Sequence, residues 1–136
     1  MMMCVTTVSY SVLINGEPKG KITPTRGLRQ GDLISPYLFL LCAEGLSAML
    51  RRDESGENLR GISVSRGAPR VSHLVFADDC IVFCKASTEE GLNVTKILED
   101  YKRESGQKLN REKTSLLFSK NTIEEVKKKV RDMFRA

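Results

Sequence analysis

Between His73 and Phe83 the chain reads HLVFADDCIVF. Two apolar, β-branched runs flank an Ala-Asp-Asp break too short for anything but a tight turn, which predicts an antiparallel strand pair bent at Asp78 and Asp79. Successive side chains of a strand point to opposite faces, so two neighbouring carboxylates approach one site only where the strand bends. Two anions at that separation repel, and in a partly desolvated site one takes up a proton unless a cation intervenes. Mg²⁺ suits such a pair, because it binds through one or two carboxylates plus waters and substrate phosphates. An Asp-Asp pair is also a common solvent-facing turn, and the dipeptide alone favours that plainer reading.

The surrounding pattern is α+β. Residues 5 to 14 alternate loosely and predict a strand; Asn15-Gly16 is a hairpin turn signal, and GKITPT is its return strand. The polar loop RGLRQGDLISP ends in Ser35-Pro36, an N-cap followed by proline at the first helical position. The helix beginning there, YLFLLCAEGLSAMLRR, is apolar nearly all round in its first half and is expected to be deeply buried. DESGENLRG reads as a surface loop and ISVS as a short strand. Ser87-x-x-Glu90 is a capping box opening a second helix, striped by Val94, Ile97, Leu98 and Tyr101 and stopped at Gly106. TSLLFS predicts a further strand, and Thr122-x-x-Glu125 caps a last helix carrying Ile123, Val126, Val130, Met133 and Phe134. The expected architecture is a largely antiparallel sheet with helices packed on one face, in a single domain spanning 1–136.

Composition narrows the function classes. The net charge of +5 points mildly to an anionic partner, and six basic against three acidic residues from Lys120 to Ala136 supply +3 of it, mostly as a solvated helix face. Cysteines at 4, 42, 80 and 84 form no C-x-x-C pair and have only His73 for company, so reduced core thiols of an intracellular protein are expected rather than a zinc site. No apolar run reaches the roughly 18 residues of a membrane span. The opening MMMCVTTVSYSVLI has no basic region of a secretory signal; it begins almost directly on a strand, so the chain is expected to be cut into.

Three stretches occur in order: RGLRQGDLISPYLFLLCAEGL, HLVFADDCIVF and SGQKLNREKTSLLF. With SVLINGEPKG ahead of them, they closely resemble the reverse transcriptase of non-LTR (LINE-type) retrotransposons, especially plant ones, from Val5 to about Phe118. F-A-D-D looks like the polymerase catalytic turn, R-G-x-R-Q-G-D like the loop that contacts template and incoming nucleotide, and S-G-x-x-x-N-x-x-K like the motif after the palm's second helix. The resemblance implies an RNA-directed DNA polymerase using Mg²⁺, with an RNA template, a DNA primer and deoxynucleotide triphosphates as partners. Asp78 would bind the metal ions and Asp79 would be a nearby, less direct ligand; Phe76 and Ala77 would shape the turn beneath the primer end. Gln30 and Gly31 would lie beside the nascent base pair, Arg26 and Arg29 would suit phosphate contacts, and Lys113 could assist the leaving pyrophosphate. Each has a plainer alternative: Arg26 and Arg29 as solvated charges, Lys113 as one surface lysine among several. His73 is expected to pack as a strand residue.

Two departures stand out. Leu33 replaces the first proline of the family's Q-G-D-P-x-S-P, which should loosen the loop without removing a chemical group. The family also carries a further catalytic aspartate on a strand several dozen residues before the R-Q-G-D loop, whereas only 25 residues precede Arg26 here and none is aspartate. The chain is therefore expected to be the second half of a palm, marginally stable and inactive alone. A non-catalytic nucleic-acid-binding remnant using Lys108, Arg111 and Lys113 is the alternative; a group II intron maturase relative, sharing the catalytic turn, fits less well. A LINE-type enzyme would act in the nucleus, but the sequence carries no clear address.

Overall fold

The computed structural model describes residues 7–24, 31 and 33–135. Two compact units divide the chain, residues 1–38 and residues 39–136.

The first unit is built on a hairpin of β1 (Tyr10–Ile14) and β2 (Glu17–Ile22). Asn15 and Gly16 both take positive φ, 53° and 82°, the two-residue turn whose twist matches the strands it joins. Ile14 pairs with Glu17 and Val12 with Lys19; the register then slips before Tyr10 meets Ile22, with Gly20 at φ 70° in the extra segment. Val12, Leu13 and Ile14 are all exposed.

Helix α1 (Ser35–Ser55) begins where Ile34, rather than Ser35, presents the first accepting carbonyl, to Leu38 N–H at 3.1 Å. It also runs farther than expected: Asp53 and Glu54 are helical, and the chain leaves only after Gly56 N–H bonds Arg52 O and Glu57 adopts φ 59°. Its burial is reversed from the expectation. Tyr37, Leu40 and Leu41 near its start are 69%, 61% and 55% exposed, while Leu46, Ser47 and Leu50 farther along are buried. An all-round apolar face signals a helix that is covered somewhere, but it does not carry its cover with it.

The second unit holds the core. Leu46 and Leu50 of α1, Leu59 of the following loop, and Val94 and Ile97 of α2 (Thr88–Ser105) form one cluster, ringed by Val82, Cys84, Leu98, Tyr101 and Phe134. Helix α2 follows its local signals at both ends. Ser87 sits in extended backbone and its hydroxyl accepts Glu90 N–H at 3.3 Å; Gly106 closes the helix at φ 73° and donates to Lys102 O. Helix α3 (Glu124–Arg135) packs Val130 inward and approaches α2 closely, since a Cβ on Gly91 would sit 3.3 Å from Met133 Sδ. It starts two residues after Thr122, with Ile123 O accepting from Val126 and Lys127.

Short strands complete the unit: β3 (Ile62–Ser63) with β4 (Arg70–Val71), and β5 (His73–Phe76) with β6 (Asp79–Val82), each pair antiparallel. The architecture is α+β as expected, yet the described strands form three separate two-stranded sheets instead of one. Thr114–Ser119 is not a strand: it pairs with no described segment, Leu117 is 97% exposed, and Phe118 lies beneath the Arg131 guanidinium at 5.5 Å. Strand propensity needs a partner to become a strand, and no described segment supplies one. No helix among the described residues is long and apolar enough to cross a membrane.

Candidate active site

The expected hairpin is present with a two-residue loop. His73 pairs with Val82, Leu74 with Ile81, Val75 with Cys80 and Phe76 with Asp79, leaving Ala77 and Asp78 to make the turn. Ala77 takes φ 50° and Asp78 does not take a positive φ, the pattern of a type II′ turn in which the first loop position normally belongs to glycine. A Cβ there carries a steric penalty of about 1–2 kcal/mol, so the turn is held by what surrounds it rather than by its own preference.

Asp78 thus lies in the loop and Asp79 opens β6, adjacent at the tip and both exposed. Neither carboxylate forms an ion pair or hydrogen bond with a described residue. Adjacent hard oxygen donors on a fixed turn, open to water and to phosphate, fit the donor chemistry of Mg²⁺. Among the described residues no third His, Cys, Asp or Glu joins them in a group that could hold a metal ion. The flanking runs, expected to be interior, are not: Phe76 is 83% exposed, and Leu74, Val75 and Ile81 are exposed with it.

Order is imposed from the base of the hairpin, through three residues that the sequence reading did not single out for this task. Ser72, directly before β5, is buried and donates its hydroxyl proton to Glu54 Oε2 of α1 at 2.7 Å. With that proton committed, the hydroxyl accepts from His73 Nδ1 at 3.0 Å, while Ser72 O accepts Phe83 N–H at 2.7 Å across the open end of the hairpin. Beyond β6, Lys85 N–H donates to Glu90 Oε2 at 2.8 Å, and Arg60 N–H reaches the same oxygen at 3.2 Å. Glu90 is buried, so one carboxylate of α2 ties the exit of β6 to the entrance of β3. Sequence identifies Glu90 only as a capping-box residue; its two real partners lie 5 and 30 positions away.

Arg26, Arg29 and Gln30 lie outside the described residues. Gly31 is described, exposed and at φ 82°, in the first unit. Lys113 is exposed in a turn organised by the Asn110 carbonyl of its side chain, which accepts Glu112 N–H at 3.1 Å and Lys113 N–H at 3.3 Å; it forms no ion pair with a described residue. Cys80 and Cys84 remain free thiols, both pushed above their ordinary pKa by burial, and Cys84 further by the Glu90 carboxylate.

The sequence pattern of the reverse transcriptase (RNA-dependent DNA polymerase) family matches residues 2–131, nearly the whole chain. The chain belongs to the reverse transcriptase family. This reverse transcriptase chain is 58% identical over 67 residues to an uncharacterized mitochondrial protein of Arabidopsis thaliana, covering 49% of the chain and 55% of that protein. It is 44% identical over 78 residues to a retrovirus-related Pol polyprotein from the type-1 retrotransposable element R2 of Nasonia vitripennis, covering 57% of the chain and 7% of the polyprotein. The corresponding R2 polyprotein of Popillia japonica is 27% identical over 116 residues, 83% of the chain and 18% of that polyprotein. The chain therefore spans about half the length of the first relative and a small part of the other two. No solved structure matches it.

Proposed function

We propose that this chain is the part of an RNA-directed DNA polymerase that carries the catalytic turn, with Asp78 as a direct metal ligand and Asp79 as a nearby, less direct one. The observation behind this reading is the hairpin tip itself: two adjacent exposed carboxylates without a protein cation, on a tight turn, in a member of the reverse transcriptase family. Bound Mg²⁺ would activate a primer 3′-hydroxyl and neutralise charge on the leaving pyrophosphate. The chain's own residues would do the rest. Phe76 and Ala77 shape the turn beneath the primer end, Arg26 and Arg29 hold phosphates, Gln30 and Gly31 flank the nascent base pair, and Lys113 faces the departing pyrophosphate. The partners are an RNA template, a DNA primer and deoxynucleotide triphosphates.

Two-metal transfer needs another carboxylate beside this pair. No aspartate precedes Arg26 in the chain, and none of the described residues completes the group. We propose that these 136 residues hold only part of the site and do not polymerise by themselves.

Mn²⁺ titrated into the purified chain and followed by electron paramagnetic resonance tests the assignment. Wild type binds, Asp78→Asn weakens binding at least about tenfold by loss of a direct charged ligand, and Asp79→Asn weakens it less. Indistinguishable Mn²⁺ binding by wild type and the double variant refutes the metal assignment. Template-directed nucleotide incorporation by the chain alone refutes the incompleteness.

A further inference from the structure

From Asn58 to Ala77 the chain carries three arginines, Arg60, Arg66 and Arg70, and no aspartate or glutamate. Soluble surfaces ordinarily intersperse both signs of charge. Arg66 and Arg70 lie on the β3–β4 hairpin and Arg60 just before it, so the three charges share one local unit.

The hairpin is built to hold its shape. Gly61, at φ 60°, lets the chain pass so close to β4 that a Cβ there would meet Val71 O at 2.6 Å. Ile62 pairs with Val71 and Ser63 with Arg70. The Ser63 hydroxyl lies 2.7 Å from Ser65 O and 3.1 Å from Ala68 O, and Ala68 N–H donates to Ser65 O, closing the tip on which Arg66 sits. At the base, Arg60 is fixed through its backbone N–H to Glu90, and Arg70 Nη1 donates to Arg60 O at 3.3 Å.

All three arginines are exposed, and none forms an ion pair with a described residue. Two neighbouring carboxylates, Glu54 and Glu90, are turned to Ser72 and to backbone amides, and Glu57, exposed three residues before Arg60, forms no ion pair with a described residue.

We infer that the β3–β4 hairpin is a docking surface for the sugar–phosphate backbone of a nucleic-acid duplex, with Arg60, Arg66 and Arg70 as the phosphate contacts. Guanidinium forks match phosphate geometry in a way that ammonium groups do not. No aromatic residue lies between Arg60 and Val71, so the hairpin has no platform for stacking unpaired bases. Contact with the backbone alone makes the binding indifferent to base sequence and strongly salt-dependent. The inference rests on the polymerase reading only in taking nucleic acid as the polyanion.

Fluorescence anisotropy with a labelled RNA–DNA template–primer, and with a single strand of the same length, tests it between about 50 and 200 mM salt. The full chain is compared with Arg60→Gln/Arg66→Gln/Arg70→Gln and with a charge-matched control, Lys120→Gln/Lys128→Gln/Lys129→Gln. The arginine variant is expected to lose about tenfold or more in duplex affinity, and its salt slope to fall by about 2 to 3. The control is expected to change much less. Arg66→Gln alone, at a tip position with no backbone role, lowers the slope by about 0.9 and guards against misfolding of the triple variant. Equal losses in the arginine and lysine variants, tighter binding of the single strand, or no duplex binding by wild type overturns the inference. The arginine variant should still bind Mn²⁺ as wild type does, so failure of the hairpin surface and failure of the Asp78–Asp79 assignment give separate results.

Discussion

Glu90→Ala is the perturbation that most directly tests how the acidic corner is supported. The carboxylate is 6% exposed and accepts backbone N–H groups from Lys85 and Arg60 on one oxygen, at 2.8 and 3.2 Å. Hydrogen bonds to a charged group contribute about 1.5–3 kcal/mol each, and a buried donor left without a partner loses its solvation as well. Part of that loss is offset, because the truncated protein no longer desolvates a carboxylate. Lys85 and Arg60 are otherwise exposed, so water can reach the freed amides and lower the penalty further. The net expectation is a loss of about 2–4 kcal/mol, a large share of the roughly 5–15 kcal/mol that stabilises a domain of ordinary size. Glu90→Gln keeps an acceptor and the shape while removing the charge, and should lose about 1–2 kcal/mol. Urea unfolding followed by far-ultraviolet circular dichroism measures both. A second readout is the Cys84 thiol: burial and then Glu90 hold its pKa up, so Glu90→Gln should lower it toward the ordinary value. Were Glu90→Ala to unfold within about 0.5 kcal/mol of wild type, the two-amide clamp would have no energetic weight and the reasoning would fail.

Gly61→Ala places a Cβ 2.6 Å from Val71 O at φ 60° and should destabilise by about 2 kcal/mol or more, with faster hydrogen exchange at the β3–β4 pair; wild-type exchange would contradict it. Ala77→Val puts a β-branched residue at φ 50° in the β5–β6 turn and should lose more than about 1 kcal/mol, whereas Ala77→Gly should stay within about 1 kcal/mol of wild type, both read from urea midpoints. Stability should also fall in alkali. Burial raises the Cys80, Cys84 and Tyr101 pKa values above the ordinary 9.0, 9.0 and 10.0, so their contribution is complete below those values and is lost as pH rises through the folded ones. The melting midpoint in reductant should be level to about pH 8.5 and decline above it, with a shallower decline in Cys84→Ala; a midpoint that rises there would reverse the sign.

What could be read in advance was local. Asn15-Gly16 makes its turn because both residues tolerate positive φ, and Ser87 and Gly106 bound α2 because capping is satisfied within a few residues. The hairpin was legible for the same reason, although its loop is Ala77–Asp78 alone and Asp79, expected in the bend, opens β6 opposite Phe76. What failed was nonlocal. Thr114–Ser119 has strand composition and no partner among the described residues; Leu40 and Leu41 have core composition and stay exposed. Glu90 looked like an ordinary capping box, because no spacing rule announces that its carboxylate will bypass the cap for Lys85 and Arg60. The polymerase motif was visible as a string, whereas the supports of its turn come from Glu54, Ser72 and Glu90 on three separate segments.

Those supports explain how a turn with an unfavourable residue at its first position can keep one conformation. Ala77 at φ 50° works against the turn, and the exposed Leu74, Phe76 and Ile81 contribute little burial to oppose it. Restraint must therefore enter at the far end of the strands. Ser72 O holds Phe83 N–H, the Ser72 hydroxyl holds Glu54, and Glu90 holds Lys85, so both strands leave the base on fixed paths. Four antiparallel pairs then carry that restraint to the tip. A corner ordered in this way stays open to water, metal and phosphate at the end where the carboxylates lie, while its stiffness comes from uncharged contacts and carboxylates turned inward. If Asp78 and Asp79 hold a metal ion as proposed, that chemistry and the stability of the hairpin are separated along its length, and substitutions at its base should alter stability before they alter cation affinity.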